Sequence, residues 1–302
     1  MTAINQLAVL FILIGLGYGA SKLKALPPES GKILTKVVFT ITLPCMLLSS
    51  AISGELTVGG AETAMFLLLV FATYLIYLVI AFPVARLLGK DRGIRGLYSF
   101  MLIFSNVAFM GLPVGNAIFG PEAVFYIALF NIPFWICSFT FGVILVSGEK
   151  KRFDYKTLIT PVLISSLLVI PLSLMNFRAP DIIVDAVRLT GSITTPASMI
   201  IIGITLGQES IKDVFTNWRL YPLTLVKLIV IPIVVYLVMR PFVTDDLVLG
   251  ILVIISAMPT AAIAAMFAIE YRNNESTGSG GVFLTTLFSG ITIPLIVHFL
   301  IG

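Results

Sequence analysis

Apolar runs of about twenty residues recur along this chain with hardly a charge inside them, and that feature leaves few folds open. Within a bilayer no water is at hand for backbone N–H and C=O groups. A spanning segment must therefore satisfy them internally as a helix, or share them around a closed barrel. Divided where charges and turn residues cluster, the sequence yields ten segments: 3–23, 31–52, 62–88, 95–119, 121–147, 157–177, 181–206, 220–240, 246–271 and 278–301. These are far longer than the roughly 10-residue alternating strands of a barrel, so helices are expected throughout. Only 11% of residues are charged and 58% are hydrophobic, against about 25% charged in a soluble domain. The first run has no basic residue before it and reads as a retained helix, not a cleaved signal. Cys45 and Cys137 lie in apolar segments without ligand-like spacing, so neither a disulfide framework, a metal site nor a cofactor is indicated.

Orientation follows from lysine and arginine. The connections after the first, third and fifth segments hold Lys22, Lys24, Lys32, Lys36, then Arg86, Lys90, Arg92, Arg95, then Lys150, Lys151, Arg152 and Lys156. Lys212, Arg219 and Arg272 follow on the same side, whereas Arg178, Arg188 and Arg240 fall on the other. Both termini are accordingly expected outside the cytoplasm, in a multi-pass protein of the cell (inner) membrane. The same asymmetry accounts for the pI of about 9.1 without nucleic acid.

Prolines inside the segments recur in pairs, Pro44 with Pro196, Pro83 with Pro232, Pro113 with Pro259 and Pro133 with Pro294, each separated by close to half the chain. Short spellings agree: "ITLP" (41–44) with "ITTP" (193–196), and "NIPF" (131–134) with "TIPL" (292–295). The rival explanation is that proline is simply common in membrane helices. The expected architecture is all-α, with two five-helix repeats at 1–147 and 157–302 joined by a short cytoplasmic linker at 148–156. Because five is odd, the second repeat enters the membrane from the opposite side, giving inverted topology.

Inverted repeats with interrupted helices mark secondary transporters, whose substrate site lies near the midplane where the broken helices meet. The stretch "FSNVAFMGLPVGNAIFG" (104–120) carries such breakers in the fourth segment. Pro113 lacks an N–H and its ring opposes the carbonyl of Phe109, so an interruption is expected there, with Gly111 and Gly115 free for positive φ or close approach. In the ninth segment Pro259 is expected to free the carbonyl of Ile255, flanked by Met258, Thr260 and small residues at 261–265. Two such breaks crossing would present free backbone groups and positive half-helix ends, which suit an anion. Asn106 reads as a substrate ligand or as a cap on the broken backbone, and Asn116 as a cap where the helix restarts. Asn131 faces the same cavity or satisfies a local carbonyl. Ser49 supplies a hydroxyl to the site or to helix packing, and Pro44 and Pro196 read as structural breaks. Gly15, Gly17 and Gly19 in "GLGYGA" point to close helix packing instead of a nucleotide loop.

"SNVAFMGLPVGNAIFG" (105–120) and "ISAMPTAAIAAMFAIEY" (255–271) resemble the fourth- and ninth-helix signatures of the auxin efflux carrier family, through Asn106, Gly111, Pro113 and Gly120, and through Pro259, Phe267, Ala268, Glu270 and Tyr271. "LPCMLLSSA" (43–51) and "TGSITTPASMIIIGITLG" (190–207) are similar to its second and seventh helices, so the resemblance covers the whole chain. The short 148–156 linker is similar to that of prokaryotic members. The resemblance implies crossed, interrupted fourth and ninth helices. It also implies a scaffold of helices one, two, six and seven that forms a homodimer, and a transport domain of helices three to five and eight to ten; the expected motion of one bundle against the other is of elevator or rocking type. In addition it implies a carboxylate held at Asn106, and substrates such as malate, malonate or indole-3-acetate.

Ionisable groups inside the membrane are functional candidates, because a charge at the bilayer centre costs at least about 2.5 kcal/mol. Lys227 lies near enough to the end of the eighth segment for its amine to snorkel outward, or it serves coupling; Glu270 is placed to pair with Arg272 or to gate an exit. His298 reads as interfacial, and Asp245 and Asp246 suit a helix start. No proton relay or sodium site stands out, so coupling to H+ or Na+ is open. An anion channel is the alternative reading, and a membrane-embedded enzyme lacks clustered catalytic groups.

Overall fold

The computed structural model describes residues 3–27, 29–53, 59–148, 159–208, 211–271 and 273–301. Lys150, Lys151, Arg152, Lys156 and Arg272, and most of the linker, lie outside the described residues. Among the described residues the regular structure is helical, apart from two isolated β-bridges, Ser53 with Arg178 and Ser105 with Thr260. The helices are α1 (Ala3–Lys22), α2 (Ser30–Ile52), α3 (Gly60–Leu88), α4 (Arg92–Ile103), α5 (Val107–Phe119), α6 (Pro121–Ser147) and α7 (Pro161–Leu174). They continue as α8 (Asp181–Gln208, with a turn at Ile193), α9 (Ile211–Thr216), α10 (Leu220–Met239), α11 (Asp246–Ser256), α12 (Ile263–Glu270) and α13 (Glu275–Ile301). Six of them, α2, α3, α6, α8, α10 and α13, are long and apolar enough to cross a membrane, and α5, α7 and α11 are shorter apolar helices.

α3 shows what this solvent demands. Phe66, Val70, Tyr74, Tyr77, Ala81 and Ala85 form a buried stripe at helical spacing, while Met65, Leu68, Phe71, Leu75 and Val79 lie exposed on another face. Burial and polarity are uncoupled: the exposed face is as apolar as the buried one, as expected of a helix whose outer face meets lipid tails.

Pro44, Pro113 and Pro232 do not break their helices, contrary to the expectation for Pro44 and Pro113. Each follows a π-helical turn, at Val38–Thr42, Val107–Gly111 and Val226–Val230. The residue before the proline donates one position further back than in an α-helix, Leu43 N–H to the Val38 carbonyl and Ile231 N–H to the Val226 carbonyl. The wider turn takes up the i→i−4 bond that proline cannot make, so the helix continues. Gly111 is helical at φ −61°, and Asn116 lies inside α5 without capping a restart. True ends are set by local chemistry. Asp91, Thr160, Asp245 and Asn274 accept hydrogen bonds from the first N–H groups of α4, α7, α11 and α13. Gly120, at φ +81°, stops α5 where a side chain would be strained.

The chain divides into two compact units. The first comprises Met1–Leu68, Ala108–Trp135 and Tyr155–Gln208. In it α1 and α8 meet backbone to backbone: a Cβ on Gly17 would strike the Ile200 carbonyl, and one on Gly203 would strike the Ile14 carbonyl and come within 2.7 Å of the Tyr18 nitrogen. Gly17 is therefore a packing glycine, as expected, whereas Gly15 and Gly19 face open space. Phe39 packs edge-on against Phe109 and Trp135 at 4.7 and 5.7 Å. The second unit comprises Leu69–Val107, Ile136–Asp154 and Glu209–Gly302. There Asn273 ties three segments together, its Nδ2 donating to the carbonyls of Gly93 (2.9 Å) and Val146 (2.7 Å). Phe267 packs against Phe100 and Phe139, each at 5.5 Å.

Candidate functional site

Within the second unit, the fourth and ninth segments are both interrupted, at residues 104–106 and 257–262. α4 ends where Phe104 turns extended (φ −97°, ψ 105°). The two extended pieces then pair as a minimal antiparallel ladder around Ser105 and Thr260. Asn106 N–H donates to the Pro259 carbonyl at 2.8 Å, and Ala261 N–H to the Phe104 carbonyl at 2.9 Å. In apolar surroundings each freed backbone group needs a partner, and the remaining bonds follow from that demand. Met101, which would have accepted from residue 105, accepts from Thr260 Oγ1 at 3.0 Å. Leu102, which would have accepted from residue 106, accepts from Lys227 Nζ at 3.1 Å. Thr260 N–H donates to Thr285 Oγ1 at 3.2 Å.

Lys227 is fully buried and also donates to Ser105 Oγ at 2.7 Å, with its Nζ 5.5 Å from the centroid of the Tyr77 ring. The expected outward snorkelling is thereby corrected. The α4 terminus leaves a carbonyl unpaired in the interior, and an amine on a four-carbon stem is long enough to reach it. Tyr77 Oη lies 2.6 Å from Ser256 Oγ, which donates in turn to the Leu252 carbonyl. The Ile255 carbonyl, expected to be freed by Pro259, accepts from Met258 N–H at 3.2 Å. Asn106 (5% exposed), Met258 and Thr260 are all buried at this crossing.

The first unit holds a cavity of about 840 Å³, within the size range of small-ligand sites. It is lined by Ser49, Ser50, Ser53, Asn116, Glu122, Arg188, Thr195 and Pro196, among others. The Ser49 hydroxyl donates to the Met46 carbonyl at 2.7 Å and that of Ser50 to the Leu47 carbonyl at 3.0 Å, and both serines line the cavity together with Arg188. Gly115 packs against Ile127. Asn131 is fully buried on α6, and neither its Oδ1 nor its Nδ2 has a partner among the described residues. A local carbonyl does not satisfy it. Glu270 is the exposed last residue of α12, and its expected partner Arg272 lies outside the described residues.

Thus Asn106, Met258, Pro259, Thr260 and Lys227 come together in the second unit, and Ser49, Asn116 and Pro196 around one cavity in the first. Sequence reasoning missed Ser105, Thr285, Tyr77, Ser256 and Arg188. A polar residue on the buried stripe of an apolar helix was the available signal for Thr285, Tyr77 and Ser256.

Asn131 offers a direct test. A buried amide with both ends unbonded costs roughly 1–3 kcal/mol, and the chain keeps it. Asn131→Leu, of similar volume, is expected to unfold at or several degrees above the wild-type temperature. A lower melting temperature would show that the amide is bonded in the working protein.

Comparison with known proteins extends these observations. A family model described as membrane transport protein matches residues 2–297. An uncharacterized transporter of Methanothermobacter thermautotrophicus is 25% identical over 289 residues, covering 94% of each chain. An uncharacterized transporter of Methanocaldococcus jannaschii is 25% identical over 309 residues, covering 98% of each. With nearly its whole length matched, and with helices long and apolar enough to span, this chain belongs to the membrane transport protein family, that of the auxin-efflux-like carriers, and is a multi-pass membrane protein.

Proposed function

We propose that this protein is a secondary carrier of small organic anions, mono- or dicarboxylates of auxin-like or malate- and malonate-like size, working by alternating access. The observation that carries the reading is the hydrogen-bonded crossing of two interrupted segments at Asn106 and Pro259. A break of this kind places backbone polarity and opposed half-helix ends deep in an apolar protein, where a desolvated solute needs them. Asn106 is the proposed carboxylate ligand, with Met258, Pro259 and Thr260 forming the wall of its site. The cavity beside Arg188 and the amide of Asn131 support an anionic solute with hydrogen-bonding oxygens.

The ten segments are proposed to form two inverted five-helix repeats, 1–147 and 157–302, with both termini outside the cytoplasm. An elevator motion is the favoured form of alternating access. Segments one, two, six and seven fall in one compact unit and eight to ten in the other, which supports it; three to five run through both units and lend the assignment no support. A homodimer built on the first unit is part of the same proposal. Coupling to H+ or Na+ belongs to the test.

The test is a proteoliposome screen of mono- and dicarboxylates, with and without sodium and a pH gradient. Saturable flux of at least one carboxylate, with exchange across the membrane, is expected. A conductance that does not saturate in planar bilayers would replace the carrier with an anion channel.

A further inference from the structure

Lys227 is the one described lysine or arginine that is fully buried, and its bonds are not those of a stray charge. Two of its three N–H groups are placed by Leu102 and Ser105, at 3.1 and 2.7 Å, and the ring of Tyr77 lies alongside at 5.5 Å. Leu102 and Ser105 sit at the carbonyl end of α4, the negative pole of that helix. A cation is what such a place attracts, and among the described residues no carboxylate is paired with Lys227. The stem reaches the place through the π turn Val226–Val230, which sets Lys227 on α10 facing the break.

We propose that the Lys227 ammonium is a resident cation: it closes the carbonyl end of the crossing and fills the position that an alkali cation would otherwise take, so that this end of the site draws no Na+ from solution. The inference deepens the carrier reading by assigning the cation side of its site, but it stands on the crossing alone. Two oxygens and a ring face fixed around one positive group form a site whose occupant is tethered. An occupant of that kind is always bound, independent of external salt. Shortening the side chain leaves the oxygens and frees the space, and a hard cation with water then fits where the ammonium was.

The test uses the full chain purified in detergent, melted in sodium chloride and in choline chloride at equal ionic strength, as wild type, Lys227→Ser, Lys227→Met and Lys227→Arg. The wild type and Lys227→Arg are expected to melt at the same temperature in both salts. Lys227→Ser is expected to melt several degrees lower in choline and to recover much of that loss in sodium, since a bound ion stabilises by mass action. Lys227→Met, which fills the space with an apolar chain, is expected to lose stability without recovery in sodium. A sodium-dependent shift in the wild type would overturn the proposal, as would a Lys227→Ser protein that melts alike in both salts. Should Lys227→Ser fail to fold, the wild-type and Lys227→Arg comparison decides. The readout does not depend on which solute is carried: a chain that passes it yet moves no carboxylate refutes the carrier reading and leaves the resident cation intact.

Discussion

Asn106→Ala is expected to lower saturable carboxylate uptake by at least about 30-fold, the equivalent of the roughly 2 kcal/mol or more lost when one partner of a buried charge is removed. The fold should survive. The bond that joins residue 106 to Pro259 is made by the main-chain N–H, at 2.8 Å, and alanine keeps it. Flux and structural integrity are thus separable at this position. Initial uptake rates into proteoliposomes should collapse while the melting temperature stays within a few degrees of wild type. Unchanged KM and maximal rate would refute the proposed role of Asn106 as carboxylate ligand and leave it as part of the polar break.

The second large effect is on stability. Gly203→Val places a branched side chain against the backbone of α1, where the Ile14 carbonyl, the Tyr18 nitrogen and the Gly17 Cα already surround the position of a Cβ. Backbone cannot rotate out of the way as a side chain can, so α1 and α8 must separate along their contact. Overpacking of this kind typically costs 1–3 kcal/mol or more. In lipid it also removes the close van der Waals approach that holds such helices together. A fall of several degrees in melting temperature, or loss of the monodisperse peak in detergent, is expected. Gly19→Ala serves as the control, since nothing lies within 4 Å of a Cβ there. If Gly203→Val melts like the wild type, the α1–α8 packing described above is wrong.

The location of the break shows how far local rules reach. Pro113 looked like the interruption because proline removes a donor, yet the helix continues through it by widening one turn, as at Pro44 and Pro232. The chain breaks instead at 104–106, which contains no proline. Phe104 and Asn106 leave the helix where Ala261 and Pro259 offer their backbone partners: the Phe104 carbonyl accepts from Ala261 N–H, and Asn106 N–H donates to the Pro259 carbonyl. A helical bond has been exchanged for one to a residue far away in sequence, and propensity at 104–106 carries no trace of that. Lys227 teaches the same lesson in charge: its position along α10 permitted an outward amine, and only the unpaired Leu102 carbonyl turned it inward.

What the sequence determined by itself is what depends on composition and nearest neighbours. Apolar length dictated helices, because in lipid a helix satisfies its own backbone within four residues. Asp91, Thr160, Asp245 and Asn274 set helix starts, and Gly120 a helix end, through bonds and dihedral angles within a turn. The motif spellings carried the family. Tertiary structure alone decided which breaker became a true interruption, which glycine became a helix contact, and where the buried lysine points. Each of those outcomes depends on a partner that is distant in sequence and near in space, and no local pattern encodes the free energy of such a pair.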